Sequence, residues 1–515
     1  MHRATAILAF VAAASGAGAE TFRWAATTDP QTMDPHAVNS APVLCFLNNV
    51  YEGLVRRGKD MAIEPALAER WEPLGETGWR FHLRQGVTFQ GGETFDADDV
   101  LFSYERASSE EADTASWFAP VSEVQVVDDY TIDFLTKAPN PIFPDSIANF
   151  MIMDRGWAEA NGAVRPAKDA ETHATLNANG TGAFQVASRQ PGLETVLEPF
   201  EAWWGEPEHN ITRAVFTPIQ NSATAVAALL SGDVDLIEPV PLQDAERVDA
   251  RDDAQVFQGI EARVIMLGVS HEAETLKYGD VGIENPFRDV RVRQAVAHAI
   301  NVDAILQTIM RGAAEPASQL VSPAMRGYSD ARADRPVYDP EAARALLAEA
   351  GYADGFAFGL KCPNDRYLND EAVCQAVTSM LAQVGLTAEL DAMPVQNYWP
   401  ELRADNFDMY LLGWSPGTFD AEHPIRFLAH TPVENLGTWN FGGFSNAEID
   451  AMLPDLQSEL DDAVRQGLLD RAATILQDEV AYVPLYVQPL VWGARAGVEL
   501  TQRPDNFLIL RWIRV

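Results

Sequence analysis

Positive charge is what this 515-residue sequence has least of: 37 Lys and Arg stand against 75 Asp and Glu, a formal net charge of −38. A nucleic-acid partner needs a basic footprint, and so does docking on anionic lipid, so neither fits this chain. Cysteine is also scarce. Cys45, Cys362 and Cys374 are the full set, and no two have the C-x-x-C spacing of a zinc or dithiol redox site. No G-x-x-x-x-G-K-[ST] loop is present, which removes that route to ATP, and no H-E-x-x-H pair accompanies the scattered histidines. After the first 19 residues no apolar run approaches the ~20 residues needed to cross a bilayer.

What is present is a foldable composition, 47% apolar and 22% charged. It excludes a disordered acidic tail, and at roughly 100–200 residues per domain the length suggests two to four domains. The acidity itself means solubility and self-repulsion before it means anything about a substrate. Residues 1–19 read as an export signal: Arg3 gives a positive start, Ala6 to Ala14 an apolar stretch, and Ala17-Gly18-Ala19 a small-x-small cleavage site before Glu20. The expected mature protein is soluble and exported, cleaved after Ala19, without membrane insertion and without a lipid-bearing cysteine at the cleavage site. In an oxidising compartment Cys362 and Cys374 can close a short disulfide loop, the reading preferred over two buried thiols, while Cys45 reads as a small buried hydrophobe.

Helix and strand signals alternate along the chain, which favours α/β layers. Asp339-Pro340 opens a helix that Gly351 closes, and Asp289 opens one whose Val292, Ala295, Val296, Ala299 and Ile300 make an apolar stripe. Ser445-Asn446-Ala447-Glu448 reads as a capping box, and Gly385 ends the Cys374 helix ahead of a strand at Leu386–Leu390. No short-period repeat or low-complexity linker separates domains. Aromatics gather beside glycine and proline, at Trp203-Trp204-Gly205, Trp414-Ser415-Pro416-Gly417 and Trp439-Asn440-Phe441-Gly442. Core is the better reading for the first pair and a ligand cleft for Trp414.

Enzyme motifs fail on inspection. Gly413-Trp414-Ser415-Pro416-Gly417 matches G-x-S-x-G, but Pro416 has no N–H to give an oxyanion hole. His423 and His430 are seven apart with no further ligands, so no metal is assigned. Two carboxylates suited to glycosidase chemistry are inevitable among 75 acids and carry no information.

Several segments resemble one family, the periplasmic dipeptide- and oligopeptide-type substrate-binding proteins of ABC importers (bacterial extracellular solute-binding protein family 5). They include Thr28-Asp29-Pro30-Gln31-Thr32-Met33-Asp34-Pro35, Val50-Tyr51-Glu52-Gly53-Leu54-Val55 and Phe81-His82-Leu83-Arg84-Gln85-Gly86-Val87-Thr88-Phe89. Phe95-Asp96-Ala97-Asp98-Asp99-Val100, Gly180-Thr181-Gly182-Ala183-Phe184, Leu229 to Leu236, Val290 to Ala295, Tyr338 to Ala343 and Val483-Pro484-Leu485-Tyr486 continue the likeness in order. The resemblance implies a two-lobed α/β periplasmic-binding-protein fold of type II with an extra domain inserted in lobe I. Carried over, lobe I takes 20–60, 184–276 and 490–515, the inserted domain 61–183, and lobe II 277–489. It also implies capture of a small peptide or other polar solute between the lobes and delivery to membrane permease subunits, by a monomer with no cofactor and no catalysis.

In peptide-binding members an Asp three residues after the tryptophan of the Gly-Trp loop pairs with the peptide α-ammonium. Here that position is Gly417, and the nearest acid in the loop is Asp420. Either Asp420 serves from a shifted position or the ligand brings no free amine there, which widens the ligand class to opine-like, glycoside-like or other polar solutes. Trp414, Thr418, Phe419 and Asp420 are therefore expected in the pocket. Asn364 and Arg366 follow, on the loop after Cys362, with Arg366 suited to a carboxylate or equally to pairing with Asp365 or Asp370. Met33, Trp439, Asn440, Phe441 and Gln488 are placed by resemblance to cleft-facing loops. The readings kept as alternatives are a secreted α/β hydrolase and a metal-chelate or haem carrier using His423 or His430.

Overall fold

The computed structural model describes residues 20–168 and 170–515; the leader read in residues 1–19 falls outside the described residues. Two strands dominate it, Ala254–Val269 with 16 residues and Val483–Arg495 with 13. They are rich in β-branched and aromatic residues, run antiparallel, and pair from Ala254–Arg495 to Leu267–Val483. The ladder breaks between Ile260 and Val264, where the Ala262 N–H donates to the Pro504 carbonyl at 2.9 Å instead. Glu261 and Arg263 flank that break, and Gln488 stands opposite it.

These strands sit in the middle of an eleven-stranded mixed sheet. On one side follow Leu236–Glu238, Glu20–Ala26, Ile211–Pro218, Glu194–Pro199 and Phe184–Gln190; on the other follow Met409–Trp414, Phe356–Pro363 and Leu386–Met393; the eleventh, the two-residue Glu315–Pro316, pairs with Val483–Arg495 off this order. Each side contains parallel pairs, Glu20–Ala26 with Ile211–Pro218 and Phe356–Pro363 with Leu386–Met393, so each needs helices on its faces. The result is two α/β lobes sharing one spine. The first lobe packs around Phe22, Trp24, Leu47, Phe216 and Trp492. The second packs around Ile265, Val296, Phe358 and Leu411, with a further cluster of Tyr410, Phe444, Leu453 and Leu469. A separate four-stranded antiparallel sheet, Ala68–Pro73, Gly78–Leu83, Thr131–Thr136 and Val121–Asp128, has its own core of Phe81, Phe89, Phe134 and Phe143.

Local chemistry explains the punctuation. Asp339 caps Pro340–Glu349 by accepting from the Glu341 and Ala342 N–H groups, and Asp289 caps Val290–Ala299 through Arg291. For Ala447–Ser458 the cap is Asn446, which accepts from Glu448 and Ile449, and not the box beginning at Ser445. The Gly180-Thr181-Gly182 stretch is structural. A Cβ on Gly180 or Gly182 would lie 2.2 or 2.7 Å from the Val50 carbonyl oxygen, which accepts from the Gly182 N–H.

Cys362, near the end of Phe356–Pro363, is disulfide-bonded to Cys374 in the helix Asp370–Ala382. The bond fastens the loop carrying Arg366 to the helix that follows it. Cys45 is a half-buried free thiol. Replacing both bonded cysteines by serine is expected to lower stability by roughly 3 kcal/mol from the short loop released. Urea unfolding reads this directly, and a reducing agent reproduces the loss only in the parent protein.

Candidate functional site

A cleft of about 640 Å³ separates the lobes. Asn39 and Leu44, Trp117, and Asp145 with Asn149 form one wall; Arg263, Arg366, Trp399, Trp414, His423, Arg426, Phe427 and Trp439 dominate the other. The second wall is built from the strand Met409–Trp414, which pairs with Val264–Val269 and delivers Trp414 beside Val264. The chain then turns at Ser415-Pro416-Gly417 and enters the short helix Glu422–Pro424, which widens into a π-type turn over Ile425–Ala429. That wide turn, closed by His430 N–H donating to the Ile425 carbonyl at 2.8 Å, holds His423, Arg426 and Phe427 at the cleft. The Trp414 ring lies 5.5 Å from His423, 5.9 Å from Phe427 and 5.6 Å from Trp439 between centroids. It is an aromatic wall suited to stacking on a flat or apolar part of a solute.

Four polar atoms on this wall are buried yet have no hydrogen-bond partner among the described residues: Trp414 Nε1, Thr418 Oγ1, His423 Nδ1 and Arg426 Nε, the last of these ion-paired with Glu422. Buried polar groups are nearly always satisfied, so an unsatisfied cluster at one cleft points to a ligand that satisfies them. Burial, helped by the Arg426 charge, pushes His423 down to about 3, so the imidazole is neutral and can donate or accept.

Charge reverses its sign here. The lining contains three arginines, Arg263, Arg366 and Arg426, and one acid, Asp145. Arg263 is paired with Glu261 at 3.0 Å and Arg426 with Glu422 at 3.0 Å. Arg366 lies over the Tyr367 ring at 5.2 Å, and its guanidinium meets no carboxylate among the described residues. Asp145 faces Arg57 at 3.4 Å. Arg57 in turn crosses to the opposite lobe: its Nη2 donates to the Thr418 carbonyl at 2.9 Å, and its guanidinium lies 4.7 Å from the Phe419 ring. The Arg57 side chain is 8% exposed, so these bonds are shielded from water and salt.

Of the residues expected from sequence, Trp414, Thr418, Arg366 and Trp439 line the cleft. The others stand elsewhere. Asp420 is buried and accepts from Arg465 Nη1 and Nη2, both at 2.7 Å, so its carboxylate is spent inside the second lobe. Phe419 is buried beneath Arg57, and Met33 lies in the first lobe's core. Asn440 is buried with its amide bonded to Phe444 and the His430 carbonyl, and Phe441 packs on Tyr410 and Trp439. Asn364 is exposed on the loop and outside the lining. Gln488 lies outside the cleft as well, donating to Glu261 at 2.6 Å and accepting from Leu368 N–H. Gly417 does line the cleft, and a Cβ there would meet nothing within 4 Å.

Sequence reasoning missed Arg263, Arg426, Trp399, Phe427, Trp117 and Asn149. Only the ladder break could have singled out Arg263, and no periodicity announces it. Among the described residues no three His, Cys, Asp or Glu side chains converge as a metal-ligand set. Because Asp420 and Arg465 are each 1% exposed, Asp420→Asn is expected to cost about 3–5 kcal/mol by stranding a buried guanidinium. Denaturant unfolding of that variant checks the assignment; wild-type stability with weakened solute binding would instead restore Asp420 to the pocket.

Comparison with known proteins places this geometry. Residues 62–434 match the family described as bacterial extracellular solute-binding proteins, family 5 Middle. The chain is 26% identical over 471 residues to the glutathione-binding protein GsiB of Salmonella paratyphi A, covering 89% of this chain and 87% of that one. Its fold is similar to that of HbpA2 from Haemophilus parasuis, with a TM-score of 0.83 at 22% identity, covering 96% of this chain and 99% of that one. It is also similar to the periplasmic binding protein DppA of Helicobacter pylori in complex with the peptide STSA, with a TM-score of 0.74 at 23% identity and 96% and 97% coverage. A two-lobed α/β protein with a central cleft, this chain belongs to the bacterial extracellular solute-binding proteins of family 5.

Proposed function

We propose that this protein captures a small solute bearing at least one carboxylate, peptide-like or another polar acid, and delivers it to the membrane permease of an ABC importer. The observation that carries the reading is the inverted charge of the cleft: three arginines against one aspartate, in a chain with twice as many acids as cations. Arg366, with no carboxylate partner among the described residues, offers a planar fork to the solute, and Arg263 and Arg426, each paired with a glutamate, keep further N–H donors at the cleft. Trp414, Thr418 and His423 add the hydrogen bonds their orphan atoms call for, and the aromatic wall takes the rest of the solute. GsiB supports the class, since glutathione is a small peptide carrying two carboxylates.

The working cycle is capture without turnover. The lobes swing about the ladder break, the solute is held by contacts from both sides, and the closed form is what the permease recognises. In this reading the leader is removed after Ala19, the mature protein acts as a monomer in the periplasm, and the division into 20–60, 61–183, 184–276, 277–489 and 490–515 describes its parts. Gly417 is where an amine-binding carboxylate would otherwise stand, so the site favours the acidic end of its solute.

Native mass spectrometry of gently purified protein, followed by identification of the released molecule, is the direct test. An acidic solute is expected; a purely cationic or neutral one overturns the class. With that solute, Arg366→Gln is expected to weaken affinity at least about tenfold without changing the unfolding temperature of the free protein. Gly417→Asp has room for its side chain and should also weaken binding, by placing a negative charge beside the solute. Both effects are readable as a reduced ligand-induced rise in melting temperature.

A further inference from the structure

A second chamber, of about 470 Å³, adjoins the cleft and is chemically its opposite. The two share structure without sharing faces. On the helix Ala41–Leu47, Leu44 borders the cleft, whereas Ala41 and Cys45 border the chamber; at the ladder break Arg263 faces the former and Glu261 the latter. Trp24, Phe46, Phe216 and Trp492 give the chamber aromatic walls, and the only charged residues among its lining are Glu238, Glu261 and Asp505. Two of these are occupied. Glu261 holds Arg263 and Gln488, and Asp505 holds Arg503, accepting from its Nε at 3.1 Å, and the Phe507 N–H at 3.2 Å. Glu238 is different: its buried Oε2 has no hydrogen-bond partner, and no cation lies within ion-pair reach among the described residues.

We propose that this chamber binds the primary ammonium group of a small organic cation, with Glu238 as its counter-ion and the aromatic faces around its carbon frame. An unpartnered buried carboxyl is costly, and N–H donors carrying positive charge are the groups that relieve it. Aromatic faces beside the carboxyl add cation–π attraction. A metal ion is a poorer occupant, because among the described residues no set of three His, Cys, Asp or Glu side chains that could hold one includes Glu238. Burial alone pushes Glu238 up to about 8, so below that pH the carboxyl holds a proton that an incoming ammonium displaces. The other titratable groups of the chamber are Glu261 and Asp505, each already on an arginine, and Cys45, whose thiol burial pushes well above its ordinary range.

The test is calorimetric titration of the full chain with n-pentylammonium chloride and with 1-pentanol, from pH 6 to 9. The amine is expected to bind at least about tenfold tighter than the alcohol at pH 8. Its affinity should rise about tenfold per pH unit below pH 8, level off above it, and be accompanied by release of about one proton at pH 7. Glu238→Gln, which keeps the shape of the protonated carboxyl, should erase both the preference and the pH dependence. Equal binding of amine and alcohol, binding of neither, a flat pH profile in the parent protein, or unchanged amine binding in Glu238→Gln overturns the proposal. The parent protein's own profile decides the matter even if the variant fails to fold.

Discussion

The hydrogen-bonded ladder between Ala254–Val269 and Val483–Arg495 is the constraint on which the molecule depends. Each lobe has its own parallel strands and its own apolar core, and these two strands are what joins the two sets into one sheet. Backbone bonds along their length hold the lobes in one register. The ladder is interrupted at Glu261 to Arg263 and shifts register again between Ile265 and Met266. A continuous ladder would lock the lobes, and a flexible tether would lose their alignment. The proposed closure of the lobes uses this gap, where the pairing is weakest, and leaves the register of the remaining ladder to keep them aligned.

The surface and the interior use charge for different ends. An excess of acids over the whole chain keeps the molecule soluble, and at physiological ionic strength a field from exposed charges fades within about 8 Å. At the cleft Arg263 and Arg426 are each countered by a neighbouring glutamate, and Arg366 is the lining arginine left without a carboxylate partner among the described residues, so the local balance differs in sign from the chain's. The adjoining chamber, with carboxyl groups only, shows that sign is set compartment by compartment.

What could be read from the sequence follows the range of the interactions involved. Caps at Asp339 and Asp289 and the alternation of elements are local, and the chain states them plainly. The loop after Trp414 was recognisable because glycine, proline and tryptophan crowd together there. Asp420 misled because an acid in a ligand loop looks alike whether it faces solute or Arg465, a partner 45 residues away. Asn440 misled for the same reason, since its neighbour Trp439 lines the cleft while its own side chain turns inward, and Met33 belongs to a segment that packs into the first lobe's core. Arg263, Trp117 and Asn149 come together only when distant segments meet, and no spacing records that meeting.

Within the proposed capture cycle, Arg57 would have a part that differs in kind from that of the cleft residues. Its bond to the Thr418 carbonyl joins the lobes without touching the solute. A contact of that sort contributes equally to every complex with the same lobe arrangement, so it strengthens retention without ranking one solute above another. On the proposed function, discrimination would fall to Arg366, Trp414 and their neighbours, and residence time to Arg57. That division would put selectivity and dwell time on separate residues, so that a substitution at one need not alter the other.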